Sequence, residues 1–397
     1  MSLCREINID NIMKHIVALG SGGPRYVSFP GETMAKDYLM YQLKQLPVEV
    51  WTEPFMMKAY IPDEAWVYGE GIPNGRAGAQ PLAYSPIAFG GVCKGELVDI
   101  GTALPLEYAA KTKVSLKDKI IISSNIRTFL IYPQAVELGA MGAIFISGFS
   151  GAVRAGATNF DRIMGTIPAV SVTLETGNLL SKVNSQVELV SLAHIKEHEA
   201  FNIWARINPG NVKQKNTAKY LSVAHYDSFW LGPHAADNAS GCATILELIR
   251  VLSQKTWECQ LDFGLFSGEE LGMWGSKYHV DNDPGDAASI NAVLSLDGMA
   301  ERGSSPEIGV TDELKPFIES LVKTCSFPVE IWSSPPRPVS DHKYYTAAGV
   351  PTLWIGGLGP MYHTALDVPA AIDTDLLNKC AQLSCMYLEE LAVNNIK

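Results

Sequence analysis

The feature that most constrains the fold of this chain is a regular alternation of strand-like and helix-like segments after about residue 200. Apolar runs typical of strands buried on both faces occupy residues 220–224, 261–266, 291–296 and 351–355. Residues 239–252 carry apolar side chains at helical spacing, and a last helix begins near residues 373–375 with good capping chemistry. The alternation predicts an α/β fold with a mixed, largely parallel sheet sandwiched by helices.

The part of the chain before residue 200 has a different pattern. Two helices are predicted at residues 5–17 and 32–46, followed by a short strand at 48–51. Further on, β-type runs such as 65–68 alternate with glycine and proline, and few ionisable residues occur there at spacings typical of a catalytic or metal site. We interpret this part as a β-rich binding or covering module inserted into the α/β domain. The predicted division assigns residues 1–62 and 198–397 to the α/β domain and residues 63–197 to the inserted module.

Charge and motifs argue against several classes of function. The formal net charge of −11 argues against nucleic-acid binding, which usually needs a basic surface. Neither a Walker-type GxxxxGK loop nor a GxSxG elbow occurs, which argues against ATP-driven chemistry and against an α/β-hydrolase serine nucleophile. No secretory leader and no membrane-spanning stretch is visible, so we expect a cytoplasmic protein without membrane association. The odd number of cysteines, seven, predicts free thiols.

Polar residues follow the predicted strands at their carboxyl ends, where the ligand sites of such sheets lie. The residues at these positions are His225, Asp227, Asp237, Glu269, Glu270, Asp297 and His363. Imidazole and carboxylate groups together suit Zn²⁺ without any thiolate, and a carboxylate can bridge two ions about 3.5–4 Å apart. The pattern therefore predicts a two-zinc site with one bridging aspartate and an open position for water. Five of the six remaining histidines are interpreted as structural or surface residues: His15, His194, His198, His234 and His279.

These segments resemble the zinc aminopeptidases of the M28 metallopeptidase family over residues 200–397. The resembling motifs are His225-Tyr226-Asp227-Ser228, Asp237-Asn238-Ala239-Ser240-Gly241, Ser267-Gly268-Glu269-Glu270, Asp297-Gly298-Met299, Ser340-Asp341-His342, and Tyr362-His363-Thr364 with Asp367. Residues 63–197 resemble, more weakly, the protease-associated (PA) domain that is often inserted in this family. One departure concerns the position before the Ser340 motif, where many relatives carry a basic residue and this chain has Val339.

The resemblance implies a role for each of these residues. The implied ligands are His225 and Asp297 for one zinc ion, Glu270 and His363 for the other, and Asp237 as the bridge. Asp227 would hydrogen-bond His225, and Glu269 would be the general base. The Asp237–Asn238 peptide would be cis. Tyr362, next to His363, is a candidate oxyanion donor, with a packed aromatic as the equally weighted alternative.

The predicted activity is that of a dizinc aminopeptidase, which hydrolyses N-terminal residues from peptides. A zinc-bound hydroxide would attack the scissile carbonyl, with Glu269 moving the proton to the leaving amine. Three alternatives remain: a one-zinc glutaminyl cyclase-like enzyme, a carboxypeptidase-like enzyme, and a receptor-like relative that lost its metals. The expected partners are peptide substrates, and a homodimer is one possible assembly.

Overall fold

We describe the fold from a computed structural model of the chain. It describes residues 3–87, 91–182, 186–210, 217–357 and 359–394. Met1 and Ser2, at the start of the segment predicted to lack a leader, lie outside the described residues. All seven cysteines are free thiols, as predicted. Among the described residues, none of the helices is both long and apolar enough to span a bilayer.

Thirteen strands and eleven α-helices follow one another along the described chain. The strands are β1 (Glu49–Gly69), β2 (Arg76–Pro81), β3 (Val92–Gly101), β4 (Lys119–Ser123), β5 (Gly142–Ile146), β6 (Ala169–Val172), β7 (Gln186–Ile207), β8 (Lys219–His225), β9 (Gln260–Phe266), β10 (Ala292–Asp297), β11 (Glu307–Val310), β12 (Ile331–Ser333) and β13 (Thr352–Gly356). The helices are α1 (Ile9–Gly20), α2 (Pro30–Leu43), α3 (Pro105–Thr112), α4 (Thr128–Glu137), α5 (Leu174–Leu180), α6 (Ser240–Leu252), α7 (Trp274–Asn282), α8 (Pro284–Ser289), α9 (Lys315–Cys325), α10 (His342–Ala347) and α11 (Thr374–Asn394).

The strands after residue 200 form the predicted largely parallel sheet. Strands β9, β8, β10 and β13 are neighbours in that order and all pair in parallel. Antiparallel pairing occurs where β7 joins β9 and where β11 joins β13. The buried helix α6 packs on this sheet together with α1 and α11. The predicted fold class, a mixed α/β sheet between helices, is confirmed.

Two long strands connect the parallel sheet to the rest of the chain. β1 has 21 residues and β7 has 22, and they pair antiparallel from Glu49 opposite Arg206 to Gly69 opposite Val187, with one irregularity between Pro62 and Ala65. The two strands predicted at residues 48–51 and 65–68 are therefore parts of one strand. Prolines and the charged pair at 63–64 argue against a regular strand, which is why the sequence predicts two separate strands here. The antiparallel pair accommodates these residues at the irregularity between Pro62 and Ala65.

The predicted domain boundaries fall inside this strand pair, and the division into domains stays a prediction. Beyond the irregularity, the hydrogen-bonded neighbours run β1, β2, β6, β5, β4, β3 and β7, and β7 returns to β1. A closed cycle of strands leaves no exposed edge. Two apolar clusters fill this part of the chain, one around Ile120, Ile144 and Val187 and one around Ile121, Ile131 and Phe145.

Candidate metal centre

Parallel strands bring the predicted site residues to one edge of the sheet. His225 is the last residue of β8, and Asp297 is the last residue of β10. Glu269 and Glu270 follow β9 by three and four residues, and their turn begins with Ser267 and Gly268. Because β8, β9 and β10 pair in parallel, their carboxyl ends lie side by side.

The two remaining ligand candidates reach the same edge from loops. Asp237 lies in a short irregular turn, Ala235–Ala239, directly before α6, and its peptide bond to Asn238 is cis, as the resemblance implied. His363 lies between β13 and α11 and has a φ of 60°, in the left-handed region. The structure therefore brings all five predicted metal ligands together.

The geometry separates these residues into two groups that share Asp237. His225 Nε2 lies 3.2 Å from Asp237 Oδ1 and 3.2 Å from Asp297 Oδ1. On the other side, His363 Nε2 lies 3.0 Å from Asp237 Oδ2 and 3.2 Å from Glu270 Oε2. Within each group of three, the possible ligand atoms lie within 4.8 Å of one another. The two oxygens of Asp237 therefore face two different histidines, which is the arrangement required of a bridging ligand.

The donor set fits two zinc ions. His363 Nε2 is buried and makes no hydrogen bond of acceptable geometry within the described residues. A buried polar atom without a partner is costly unless a ligand or ion satisfies it. The four carboxylates of Asp237, Glu269, Glu270 and Asp297 carry the charge that two divalent ions would balance.

The ionisable groups of the protein alone show how strongly these residues interact. Burial, followed by the neighbouring Asp237, raises the pKa of Glu270 to about 7. Burial lowers the pKa of His363, but Glu270 and Asp237 raise it more, to about 9 overall. The pKa of His225 likewise lies well above its usual value, because Asp297 and Glu269 outweigh burial. Protons and metal ions compete for these atoms, so we expect metal binding to release protons.

Asp227 connects the two ligand-bearing loops. Its fully buried carboxylate accepts hydrogen bonds from the backbone N–H groups of Glu269 (3.1 Å) and Glu270 (3.2 Å). Its Oδ1 lies 3.5 Å from His225 Nδ1, which also lies 3.3 Å from the Asp227 carbonyl oxygen. Asp227 therefore contacts His225 where the resemblance implied, and it also fixes the turn that carries Glu269 and Glu270.

Glu269 and Tyr362 lie beside the ligand atoms. Glu269 is 7% exposed, its Oε2 lies 3.9 Å from His225 Nε2, and burial raises its pKa well above the usual value. The Tyr362 ring stacks on the imidazole of His363 at 3.5 Å between centroids. Burial and the surrounding carboxylates raise the pKa of the Tyr362 hydroxyl, so it stays protonated and able to donate a hydrogen bond. Phe229 contacts the same imidazole through an edge-on ring contact at 4.5 Å.

Sequence reasoning did not assign a role to two buried groups that support the loop of Asp237. The Asp367 carboxylate accepts from the backbone N–H groups of Ala236 (2.8 Å) and Asp237 (3.1 Å). Asp367 belonged to the resembling segment, which was a usable signal. Arg25 is fully buried and donates to three carbonyl oxygens, those of Tyr226, Pro233 and His234. No motif marks Arg25, because its partners lie about 200 residues away in the sequence.

Three further residues that the sequence singles out, His234, Asp341 and His342, are buried. His234, interpreted as structural or surface, is fully buried, with its ring 6.5 Å from that of His363. Asp341 is buried and accepts a 2.6 Å hydrogen bond from Ser276 Oγ. His342 Nε2 lies 2.7 Å from the carbonyl oxygen of Arg337.

Comparison with known proteins agrees with the fold and with the resemblance seen in the sequence. Residues 202–388 match the family model of peptidase family M28, and this match includes every predicted metal ligand. An aminopeptidase of Pseudomonas aeruginosa is 25% identical over 340 residues, which cover 78% of this chain and 60% of that protein. This chain thus spans less than two thirds of the length of that relative.

Two solved structures share the fold over nearly the whole chain. A zinc aminopeptidase from Bacillus subtilis, BSAP, has a TM-score of 0.76 at 20% identity and covers 97% of this chain and 95% of its own. A peptidase M28 precursor from Shewanella amazonensis has a TM-score of 0.77 at 18% identity, with coverages of 98% and 95%. At these identities the likeness establishes the fold, and the match to family M28 confirms the predicted resemblance.

Proposed function

Starting from the match of residues 202–388 to peptidase family M28, we propose that this protein is a dizinc aminopeptidase that removes N-terminal residues from peptides. The observation that carries the proposal is the position of Asp237, with one carboxylate oxygen toward His225 and the other toward His363. Asp297 would complete the ligands of one zinc ion, and Glu270 those of the other. The names of the aminopeptidase relatives support the same activity.

Zinc ions held by these residues would polarise the scissile carbonyl and lower the pKa of water. Glu269 would take a proton from the attacking water and return it to the leaving amine. Its buried carboxyl suits that exchange, because a raised pKa brings a glutamate closer to the pH at which it must both accept and donate. Asp227 would hold the backbone of Glu269 in place through its bond to the N–H group.

The remaining residues would bind and orient the substrate. Tyr362 would donate its hydroxyl proton in a hydrogen bond to the oxygen of the carbonyl under attack. The carboxylates around the ions would attract the positively charged α-amine of a peptide. A free N-terminus would therefore be required, which distinguishes an exopeptidase from an endopeptidase.

The test combines metal analysis with hydrolysis of aminoacyl reporters. We expect two zinc ions per chain and cleavage of peptides with a free amine, whereas N-acetylated peptides should resist cleavage. Glu269→Gln should keep both ions and lose most turnover, because the amide cannot accept the proton. Equal cleavage of acetylated peptides, or one ion with cyclisation of N-terminal glutamine, would contradict the proposal.

A further inference from the structure

A short segment of the predicted inserted module, residues 154–165, contacts both loops that carry the second metal site. We call it the bridging segment. At one end, Arg154 donates to the carbonyl oxygens of Pro360 (2.8 Å) and Tyr362. Near the other end, Arg162 donates to the carbonyl oxygen of Gly272 at 2.9 Å, two residues after Glu270. The segment therefore lies between the loop of His363 and the turn of Glu270.

The contacts at the Arg154 end surround the backbone of His363. The N–H group of Ala155, next to Arg154, donates to the His363 carbonyl oxygen at 2.8 Å. Arg154 holds the preceding carbonyl, that of Tyr362, and the N–H group of Met361 donates to the carboxylate of Glu301. Every backbone group named here is thus fixed from outside the loop itself.

His363 needs this support because its backbone conformation is unfavourable. With φ at 60°, it occupies the left-handed region, which costs a non-glycine residue about 1–3 kcal/mol. Such a conformation persists only when neighbouring groups impose it. In the described chain, the direct hydrogen bonds to the carbonyls of Tyr362 and His363 come from the bridging segment.

The side chain of Arg154 is buried, with 8% exposed, and is bonded to two backbone carbonyls. A buried guanidinium that reaches two carbonyls gives charge-assisted hydrogen bonds, which are stronger than neutral ones. Because both carbonyls belong to the loop of His363, loss of this side chain would act first on that loop.

We infer that Arg154 is a positioning residue for the metal ligand His363, and that the inserted module is required to complete the second metal site. The inference rests on the proposed function, since it takes His363 to be a zinc ligand. His225 and Asp297 have no such contact with the bridging segment in the described residues. The module should therefore affect the two ions unequally.

The experiment measures zinc binding in the full chain with the substitutions Arg154→Met and Arg154→Lys. Methionine keeps much of the length of arginine but removes every hydrogen-bond donor. Lysine keeps the charge, but its single ammonium group cannot reach the carbonyls of Pro360 and Tyr362 as the two guanidinium nitrogens do. Arg76→Met is the matched control, because Arg76 belongs to the same module, is exposed, and stacks on Trp66 at 3.7 Å. Zinc content after dialysis, competition with a chelator, kcat and KM are recorded for each protein.

We expect wild type and Arg76→Met each to hold two zinc ions, and the affinity for each ion to be the same in the two proteins. Arg154→Met should bind one ion normally and the other about 10–100-fold more weakly, with a lower kcat at saturating zinc, and Arg154→Lys should be intermediate. Unchanged affinity for both ions in Arg154→Met would overturn the inference, as would an equal loss of both. If Arg154→Met does not fold, unchanged binding in Arg154→Lys would overturn it. A wild-type protein with fewer than two ions would instead contradict the proposed function.

Discussion

Asp227→Asn tests whether one buried carboxylate holds the two halves of the candidate site together. The carboxylate accepts two backbone N–H groups, from Glu269 at 3.1 Å and from Glu270 at 3.2 Å, and lies beside His225. Asparagine has nearly the same shape, so the substitution leaves no cavity. Its amide oxygen can accept one N–H group, while its NH₂ group would face the other donor.

The expected cost follows from these two bonds. A hydrogen bond to a charged acceptor is worth roughly 1.5–3 kcal/mol, and a buried N–H group left without an acceptor costs about 1–3 kcal/mol. We therefore expect Asp227→Asn to destabilise the native conformation of the turn of Glu269 and Glu270 by about 2–4 kcal/mol. If about 1.4–2.7 kcal/mol of this raises the activation free energy of the reaction, kcat/KM falls about 10–100-fold.

The assay measures kcat/KM on an aminoacyl reporter together with zinc content and the thermal midpoint of unfolding. Asp99→Asn is the control, because the exposed Asp99 accepts a single backbone N–H group, from Gly101, in the predicted inserted module. It should behave as wild type in all three measurements. Activity of Asp227→Asn within twofold of wild type at full zinc occupancy would refute the reasoning.

Three further substitutions probe the surroundings of the site. Arg25→Met should lower the free energy of unfolding by more than about 3 kcal/mol in urea denaturation, because it leaves three buried carbonyls without a donor. Gly241→Ala should lower the free energy of unfolding by about 1–3 kcal/mol and should lose zinc in metal analysis. The new methyl group would lie 2.4 Å from Asn238 Oδ1, next to Asp237, and 2.6 Å from the carbonyl oxygen of Leu296. His279→Gln should reduce the thermal midpoint more at pH 5.5 than at pH 9. Burial lowers the pKa of His279, but Asp286 and Glu53 raise it above 6.5 overall, so its stabilising charge is present at low pH and lost as the pH rises through the raised pKa. Equal shifts at both pH values would contradict the assignment of a charged His279.

The part of the fold that carries local periodicity could be predicted from the sequence. The buried runs of β8, β9 and β10 are long enough, and polar enough at their ends, to place His225, Glu270 and Asp297 at one sheet edge. That one aspartate would bridge two metal ions could be expected from the chemistry of carboxylates, but its identity as Asp237 came from the family resemblance. The cis peptide after Asp237 came only from the family resemblance.

What the sequence could not provide were contacts between distant parts of the chain. Arg25 and Arg154 each act on backbone carbonyls about 200 residues away, and a carbonyl carries no side-chain signature. The continuity of β1 was hidden for a related reason. Pro62 is disfavoured in a regular strand, and only pairing with β7, more than 100 residues later, shows that the strand continues past it.

The continuous pairing of β1 with β7 has a consequence for protein engineering. At about 3.3 Å per residue, β1 is roughly 70 Å long, and both connections to the predicted inserted module run through it and its partner rather than through flexible linkers. A chimera that exchanged the module would have its splice junctions inside a ladder of hydrogen bonds. Because successive side chains point to opposite faces, a junction that adds or removes one residue would move every later side chain of that strand to the other face of the sheet. Recombination at this border should therefore succeed only when both strands are cut at facing residues, such as Met56 and Glu199, and rejoined without changing their length.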